Sequence, residues 1–337
     1  MRRIIFATVV GVFAVSSAFA QSDDFYKGKT VTIVTSTGPG GGYDLIARVI
    51  SRHMPRHLPG QPTMIVQNMP GGGNVLATNH MYTIAPKDGT MIAVINNAIP
   101  LHQVLDGRGV RYDVRKFNWL GSTGAKNSVT FVWHTTGITS IKEVMAREIT
   151  LGGTAPASDI VIYPTVMNNL LGTKFKIVLG YKSSAEVSIA LERGEVESRS
   201  NNYTSLISDQ PDWISGKKIN VLVQVGAARD KRLPDVPLLT ELARNDEERQ
   251  VLGLISAPIA LGQPYLAPPE VAPERVATLR RAFAATLADK AFLAEAEKLN
   301  FEIDPISGDE ISQVVNRTVE APPAIIAKAK EAMGPQQ

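Results

Sequence analysis

Short apolar runs rich in β-branched residues alternate along the chain with amphipathic runs of helical period. Residues 30–36, 62–68 and 90–96 show the first pattern and are predicted to be strands. Residues 43–54, between the first two strands, carry apolar side chains at the spacing of a helix with one buried face. The pattern therefore predicts a strand–helix–strand unit at this point of the chain.

The same alternation continues through most of the remaining sequence. Further strands are predicted at residues 117–122, 128–134, 147–153, 175–181 and 219–226, and further helices at residues 159–172, 183–194 and 272–292. Strands that alternate with helices are typical of parallel sheets, so we expect an α/β protein. Residues 121–126 and 226–229 are the expected crossings between two lobes.

Residues 1–20 have the three parts of a secretory signal peptide. Arg2 and Arg3 precede an apolar segment at residues 4–18, and Ala-Phe-Ala at residues 18–20 is a cleavage motif. We therefore predict export of the chain and cleavage before Gln21. No later segment reaches about 18 consecutive apolar residues, so we expect the mature chain to be soluble.

The amino-acid composition limits which cellular compartment and which binding partners are expected. The chain has 35 basic and 32 acidic residues; loss of Arg2 and Arg3 leaves an excess of one. Without a basic run or an aromatic stripe, nucleic acid is not an expected partner. The absence of cysteine excludes disulfides, zinc–thiolate sites and a lipid anchor at the cleavage site. An exported bacterial protein without such an anchor is retained by an outer membrane, so we expect it in the periplasm.

Two glycine-rich turns follow the first two predicted strands. They read TSTGPGGGYD at residues 35–44 and QNMPGGGN at residues 67–74, and each leads into a predicted helix. Helix N-termini present free N–H groups and partial positive charge, and glycine allows close approach of a ligand to the backbone. Two such turns on neighbouring strands predict a cradle for a carboxylate or phosphate. Neither run ends in Gly-Lys-Ser/Thr or completes G-x-G-x-x-G, which excludes the usual nucleotide-binding loops.

The sequence contains no recognisable catalytic or metal-binding set. His53 and His57 are four residues apart, but Pro55 lies between them and no HExxH motif is present. No serine occupies a nucleophile elbow, and no carboxylate pair has an evident acid–base arrangement. We expect no metal, no cofactor and no enzymatic activity. An exported α/β enzyme acting on an anionic substrate is the alternative.

The two glycine runs belong to a larger set of motifs. APKDGTMIAV follows at residues 85–94, GYKSSAEVSIALERGEVE at residues 180–197 and RDKRLPDVPLLTEL at residues 229–242. Together they resemble the Bug family of extracytoplasmic solute receptors, the substrate-binding proteins of tripartite tricarboxylate transporters. The resemblance covers essentially the whole mature chain.

The resemblance implies a type II periplasmic-binding fold, with two α/β lobes, a ligand cleft and two hinge crossings. The first lobe would comprise residues 21–124 and 228–337, and the second residues 125–227. The implied function is capture of a small carboxylate (a di- or tricarboxylate, an aromatic acid or a related organic acid) for membrane transporter subunits. An exported ligand sensor for a signalling system is an alternative that the sequence does not separate from it. We expect a monomer.

The resemblance also implies a set of ligand contacts. In the family, the two turns of the first lobe grip a ligand carboxylate, partly through ordered water, and the second lobe supplies further contacts. The contacts implied in the first lobe are Thr37, Gly38, Gly40, Gly41, Gly42, Tyr43, Asp44, Asn68, Gly71, Gly72, Gly73, Asn74 and Asn97. Those implied in the second lobe are Thr154, Ala155, Ser158, Tyr181, Asn202 and Tyr203.

Several of these side chains have a second interpretation. Asp44 either binds a ligand amine or caps its helix, and we favour the cap because a free carboxylate opposes anion binding. The asparagines suit carboxylate recognition or turn formation, and the tyrosines either line the cleft or pack in a core. Residues 96–109 and Asp159 depart from the family's usual pattern, which leaves the identity of the ligand open.

Overall fold

The computed structural model describes residues 25–40, 42–154, 158–181 and 184–334. The signal peptide predicted at residues 1–20 lies outside the described residues, as do Gly41 and Ala155 among the predicted ligand contacts.

Strands and helices alternate through much of the described chain. The strands are β1 (Thr30–Thr35), β2 (Thr63–Asn68), β3 (Met91–Val94), β4 (Asn118–Ser122), β5 (Ser128–Trp133), β6 (Ile149–Gly152), β7 (Phe175–Val178), β8 (Ser198–Asn202), β9 (Ile219–Val225), β10 (Pro264–Ala267) and β11 (Ile306–Ser307). The α-helices are α1 (Gly42–His53), α2 (Val75–Thr83), α3 (Ile99–Leu105), α4 (Ile141–Ala146), α5 (Asp159–Val166), α6 (Ser184–Glu192), α7 (Tyr203–Asp209), α8 (Pro211–Ser215), α9 (Asp246–Leu261), α10 (Pro273–Ala288), α11 (Lys290–Lys298), α12 (Gly308–Val319) and α13 (Pro323–Met333). Among the described residues, no helix combines the length and apolarity that crossing a membrane requires.

The first sheet has the strand order β11-β4-β10-β3-β1-β2. The predicted parallel pairing holds for β2, β1 and β3, which are joined through α1 and α2. It does not hold for β10, which runs antiparallel between β3 and β4. The reason is topological: the chain enters β10 directly from α9, without a strand–helix crossover from a neighbouring strand.

The second sheet has the order β7-β6-β8-β5-β9. Strand β6 is parallel to β7 and β8, whereas β5 is antiparallel to β8 and β9. Sequence patterning missed β8, because its residues are serine, arginine and asparagine. Two hydroxyls of β8 are satisfied inside the sheet: that of Ser200 is hydrogen-bonded to that of Thr130 at 2.7 Å, and that of Ser198 donates to the Phe131 carbonyl at 2.8 Å.

Two helices from the C-terminal part of the chain pack with the second sheet. Ile255 of α9 and Ile325 of α13 belong to the same buried cluster as Leu151 of β6 and Val223 of β9. Both helices lie in residues 228–337, the segment assigned from sequence to the first lobe. The division of the chain at residues 124 and 228 therefore stays a prediction.

The two connections between the sheets are tied together by Asn127. Its side-chain amide donates to the Gln224 side-chain oxygen and to the Ala228 carbonyl, both at 2.8 Å. Gly226 leaves no room for a side chain, because the Asn127 amide occupies that space. Residues 123–127 and the chain after β9 are thus held side by side.

Candidate functional site

The two glycine turns lie side by side at one edge of the first sheet. Thr35 at the end of β1 is in register with Asn68 at the end of β2 and with Val94 at the end of β3. Parallel strands place their carboxyl ends, and the helix N-termini that follow, at the same edge. The starts of α1 and α2 therefore lie at the same edge of the sheet.

Backbone N–H groups are available in both turns. No described residue accepts a hydrogen bond from the N–H of Gly38, Gly71 or Gly72. Gly72 and Asn74 have φ values of 53° and 75°, so this turn passes through the left-handed region that glycine and asparagine tolerate. Free N–H donors beside two helix N-termini can hold an anion without a lysine or arginine.

Asp44 fixes the first turn and is itself fully engaged. Its buried carboxylate accepts from the Gly40 N–H at 2.9 Å, from the Asn68 side-chain amide at 2.8 Å and twice from the Arg48 guanidinium at 2.9 Å. These hydrogen bonds, that from Arg48 above all, lower the pKa of Asp44 to about 2. Asp44 thus holds the turn that precedes α1 and does not simply cap the first N–H groups of the helix.

Asn68 belongs to the same network. Its amide nitrogen also donates to the Thr37 carbonyl at 3.1 Å, and its oxygen accepts from Arg48 at 3.2 Å. The side chains of Asp44 and Asn68 are therefore turned toward each other, and their role is to join the first turn to the end of β2. Arg48 was not among the predicted site residues, although its i, i+4 spacing from Asp44 is a signal for this pair.

The segment that follows β3 is hydrogen-bonded to residues of the first glycine turn. The Tyr43 hydroxyl accepts from the Asn97 N–H at 3.2 Å and donates to the Gly262 carbonyl at 3.4 Å. The Ser36 hydroxyl accepts from the Asn96 N–H at 3.0 Å. The side-chain amide of Asn97 makes no hydrogen bond to a described residue and lies at a cavity.

This cavity has a volume of about 320 Å³ and is lined by residues that follow strands of both sheets. Asn96 and Asn97 line it from the first sheet, and Ser158 lines it from the start of α5 in the second. Thr154 lies beside Ser158, to which its hydroxyl donates at 3.3 Å. The remaining walls are largely apolar and come from α3, α5, α9 and α13; they include Ile162, Tyr163, Ile255, Ile259 and Met333. We call this space the cleft cavity.

Sequence analysis missed the contribution of α9 and α13 to these walls. Their apolar stripes have the same helical period as any buried face, so no sequence signal separates a cavity wall from a core.

Three predicted contacts of the second lobe lie elsewhere. Asn202 caps α7: its oxygen accepts from the Ser205 N–H at 3.1 Å and its amide donates to the Lys126 carbonyl at 3.4 Å. Tyr203 is buried in a hydrophobic cluster, and Tyr181 packs against that cluster. The structure therefore does not bring these three residues to the cleft cavity.

The histidine pair has a structural role. The His53 imidazole lies 2.6 Å from a Glu295 carboxylate oxygen, and the His57 imidazole lies 2.9 Å from Asp289. The contacts join the end of α1 and the turn that follows it, residues 54–57, to the α10–α11 region. Within the described part of the chain, no group of three or more His, Cys, Asp or Glu side chains is arranged to hold a metal.

Comparison with known proteins identifies the relatives of this chain. The family model described as "Tripartite tricarboxylate transporter family receptor", TctC, matches residues 46–330. A UPF0065 protein of Cupriavidus necator, from the gbd 5' region, is 26% identical over 334 residues, which is 96% of this chain and 94% of the relative.

Solved structures share the fold. A TctC solute-binding protein from Polaromonas superposes with a TM-score of 0.71 at 17% identity, covering 91% of this chain and 99% of its own. Rpa4515 of R. palustris, solved with adipate, superposes with a TM-score of 0.60 at 20% identity, covering 91% of this chain and 97% of its own. The α/β binding-protein fold and the family resemblance predicted from sequence are confirmed.

The matched family is one of receptors, so the predicted receptor is favoured and the alternative of an exported enzyme is set aside. With its match over residues 46–330, the chain belongs to the TctC family of tripartite tricarboxylate transporter receptors.

Proposed function

We propose that this protein is a periplasmic receptor that captures a small carboxylate and delivers it to a tripartite tricarboxylate transporter. One observation carries the proposal: the free N–H groups of Gly38, Gly71 and Gly72 lie at one sheet edge, and the segment after the first turn is hydrogen-bonded through Tyr43 to Asn97, which lines a cavity shared by both sheets. A carboxylate on these donors gains charge-assisted hydrogen bonds.

The cleft cavity supports a particular kind of carboxylate. Its described lining residues include no lysine or arginine, and most of them are apolar. A ligand with one carboxylate on the glycine turns and an aliphatic or aromatic body in the cavity would bury apolar surface there. A tricarboxylate would have to bury further charges without a cationic partner, which is costly. Adipate, the compound bound to Rpa4515, has an aliphatic body, and its second carboxylate adds one further charge where a tricarboxylate adds two.

The test is calorimetric titration of the mature protein after unfolding and refolding to remove co-purified ligand. The panel comprises adipate, benzoate, malate, glutamate and citrate. We expect binding of adipate or benzoate, and weaker binding of citrate. If no carboxylate of the panel binds to refolded protein with a native circular dichroism spectrum, the proposal fails.

Delivery to a transporter is tested separately in cells. Uptake of the radiolabelled ligand is measured in the source bacterium with the gene deleted and with the gene restored. We expect uptake to fall on deletion and to return on complementation. Unchanged uptake, together with a ligand-dependent change in gene expression, would instead identify a sensor. Release of the protein by osmotic shock, with Gln21 at its N-terminus, tests export and cleavage.

A further inference from the structure

A second and larger cavity lies between α9, α12 and α13. Its volume is about 570 Å³, within the range of roughly 300–1,000 Å³ that is usual for small-molecule sites. None of its lining residues belongs to the glycine turns or to the cleft cavity. The space exists because α9 presents Gly253, Ala257 and Ala260 toward it, where larger side chains would fill it.

A buried hydroxyl in the wall has no protein partner. Ser256 of α9 lines this cavity and is 6% exposed, yet its Oγ makes no hydrogen bond to a described residue. A helical serine commonly returns its hydroxyl to the carbonyl four residues earlier, and Ser256 does not. Buried polar groups are nearly always satisfied, so this donor is available to an occupant of the cavity.

Positive charge lies at the open side of the same cavity. Arg317 of α12 is exposed and forms no ion pair with a described residue. Ala321 and Pro322, which precede α13, also line the cavity, and Pro322 caps α13 without any side-chain acceptor. The N-terminus of α13 therefore adds its partial positive charge to that of Arg317. Leu254 and Ile325 supply buried apolar surface.

We propose that this cavity is a second ligand site, which takes a small carboxylate with an aliphatic or aromatic body. The carboxylate pairs with Arg317 of α12, beside the N-terminus of α13. The body of the ligand packs on the small residues of α9, and the Ser256 hydroxyl donates to an oxygen of the ligand. Gly226 and Ala227, in the second connection between the sheets, form part of the wall. An occupant therefore contacts one of the connections.

The test uses octanoate and benzoate as probes, titrated into refolded mature protein and followed by saturation-transfer NMR and calorimetry. Every further substitution is made in the Gly38→Val protein, so that binding at the cleft does not mask the second site. The Gly38→Val protein itself should still bind at least one probe. Arg317→Gln should weaken that binding at least about tenfold, because among the described lining residues Arg317 alone carries a formal charge. Ala257→Phe should abolish it by filling the space.

The controls separate this site from the cleft and from unfolding. Arg249→Gln removes a charge from α9 outside the cavity and should leave probe binding unchanged. Arg317 is exposed, so Arg317→Gln should keep the melting temperature and reports on binding even if Ala257→Phe does not fold. Ser256→Ala should weaken the binding of whichever probe the Gly38→Val protein binds. The proposal is overturned if neither probe binds the Gly38→Val protein, or if, in the Gly38→Val protein, Arg317→Gln binds both probes as well as Arg249→Gln does.

Discussion

The guanidinium of Arg48 donates two hydrogen bonds of 2.9 Å to the carboxylate of Asp44, one helical turn earlier in α1. The same carboxylate holds the Gly40 N–H and the Asn68 amide. A negative charge therefore lies close to the proposed carboxylate site, but its partners already neutralise it. The turn gains a fixed shape without repelling an anionic ligand.

Asp44→Asn is expected to destabilise the protein by roughly 1–2 kcal/mol at pH 7, because a buried acceptor of several hydrogen bonds is replaced by an amide facing Arg48. The folded pKa of Asp44, about 2, lies below its ordinary 3.8. This contribution is therefore complete above about pH 4 and is lost as the pH falls toward 2. Urea unfolding of both proteins between pH 7 and pH 2.5 checks this, since the difference should shrink at the acid end.

Asp246→Asn is the matched control for this experiment. Asp246 pairs with Arg249 on the surface and is 90% exposed, so its loss should change stability by less than about 0.5 kcal/mol. Equal effects of the two substitutions would contradict a special role for Asp44.

Gly38→Val should weaken ligand binding at least about tenfold and leave the melting temperature unchanged. Gly38 has no positive φ, and a Cβ at this position meets no atom within 4 Å. The added side chain therefore costs the fold little and blocks approach to the free N–H. Gly40→Val is the contrast: its φ of 84° makes the substitution strained, so stability should fall as well. Normal affinity of the Gly38→Val protein would place the ligand elsewhere.

Tyr43→Phe should lower the free energy of unfolding by about 0.5–1.5 kcal/mol and weaken ligand binding several-fold. The hydroxyl is the acceptor of the Asn97 N–H, and its loss releases the segment that carries Asn97 into the cleft cavity. Thermal melting and calorimetry measure the two effects. Tyr82→Phe is the control, because the Tyr82 hydroxyl makes no hydrogen bond to a described residue. An unchanged affinity in Tyr43→Phe would argue against this coupling.

Asn97→Ala should weaken binding at least about tenfold with no loss of stability, since its side-chain amide contacts the cleft cavity and no described polar partner. Calorimetry against the best ligand of the panel measures it. Asn316→Ala, at an exposed position of α12, is the control. Equal affinities of the two variants would remove Asn97 from the site.

Asn202→Ala should behave in the opposite way, with stability reduced by about 1 kcal/mol and ligand affinity unchanged, because this side chain caps α7. Asn202→Asp, which keeps the capping oxygen, should restore most of the stability. A tenfold loss of affinity in a stably folded Asn202→Ala protein would return the residue to the binding site.

The first sheet edge could be predicted because its sequence combines two strong local signals. β-branched runs mark β1 to β3, and consecutive glycines mark the turns between strand and helix. The pairing of Thr35 with Asn68 and Val94 then follows from parallel topology.

The second half of the site could not be predicted in the same way. An asparagine at the end of a strand gives the same sequence signal in two different settings. Asn202 caps a helix, whereas Asn97 faces a cavity. Tyr203 has neighbours of the same kind as a cleft residue, and only tertiary packing places it in a core. Ile255 contributes to both a core and a cavity wall, which depends on how α9 lies between the sheets.

The side-chain amide of Asn127 donates two hydrogen bonds, one to the Gln224 side chain on β9 and one to the Ala228 carbonyl, which follows Gly226. Residues 123–127 cannot change direction without pulling on the chain around residues 224–228. The two connections between the sheets are therefore coupled to each other by Asn127. A rotation of one sheet relative to the other would therefore bend both connections together or break the hydrogen bonds of Asn127.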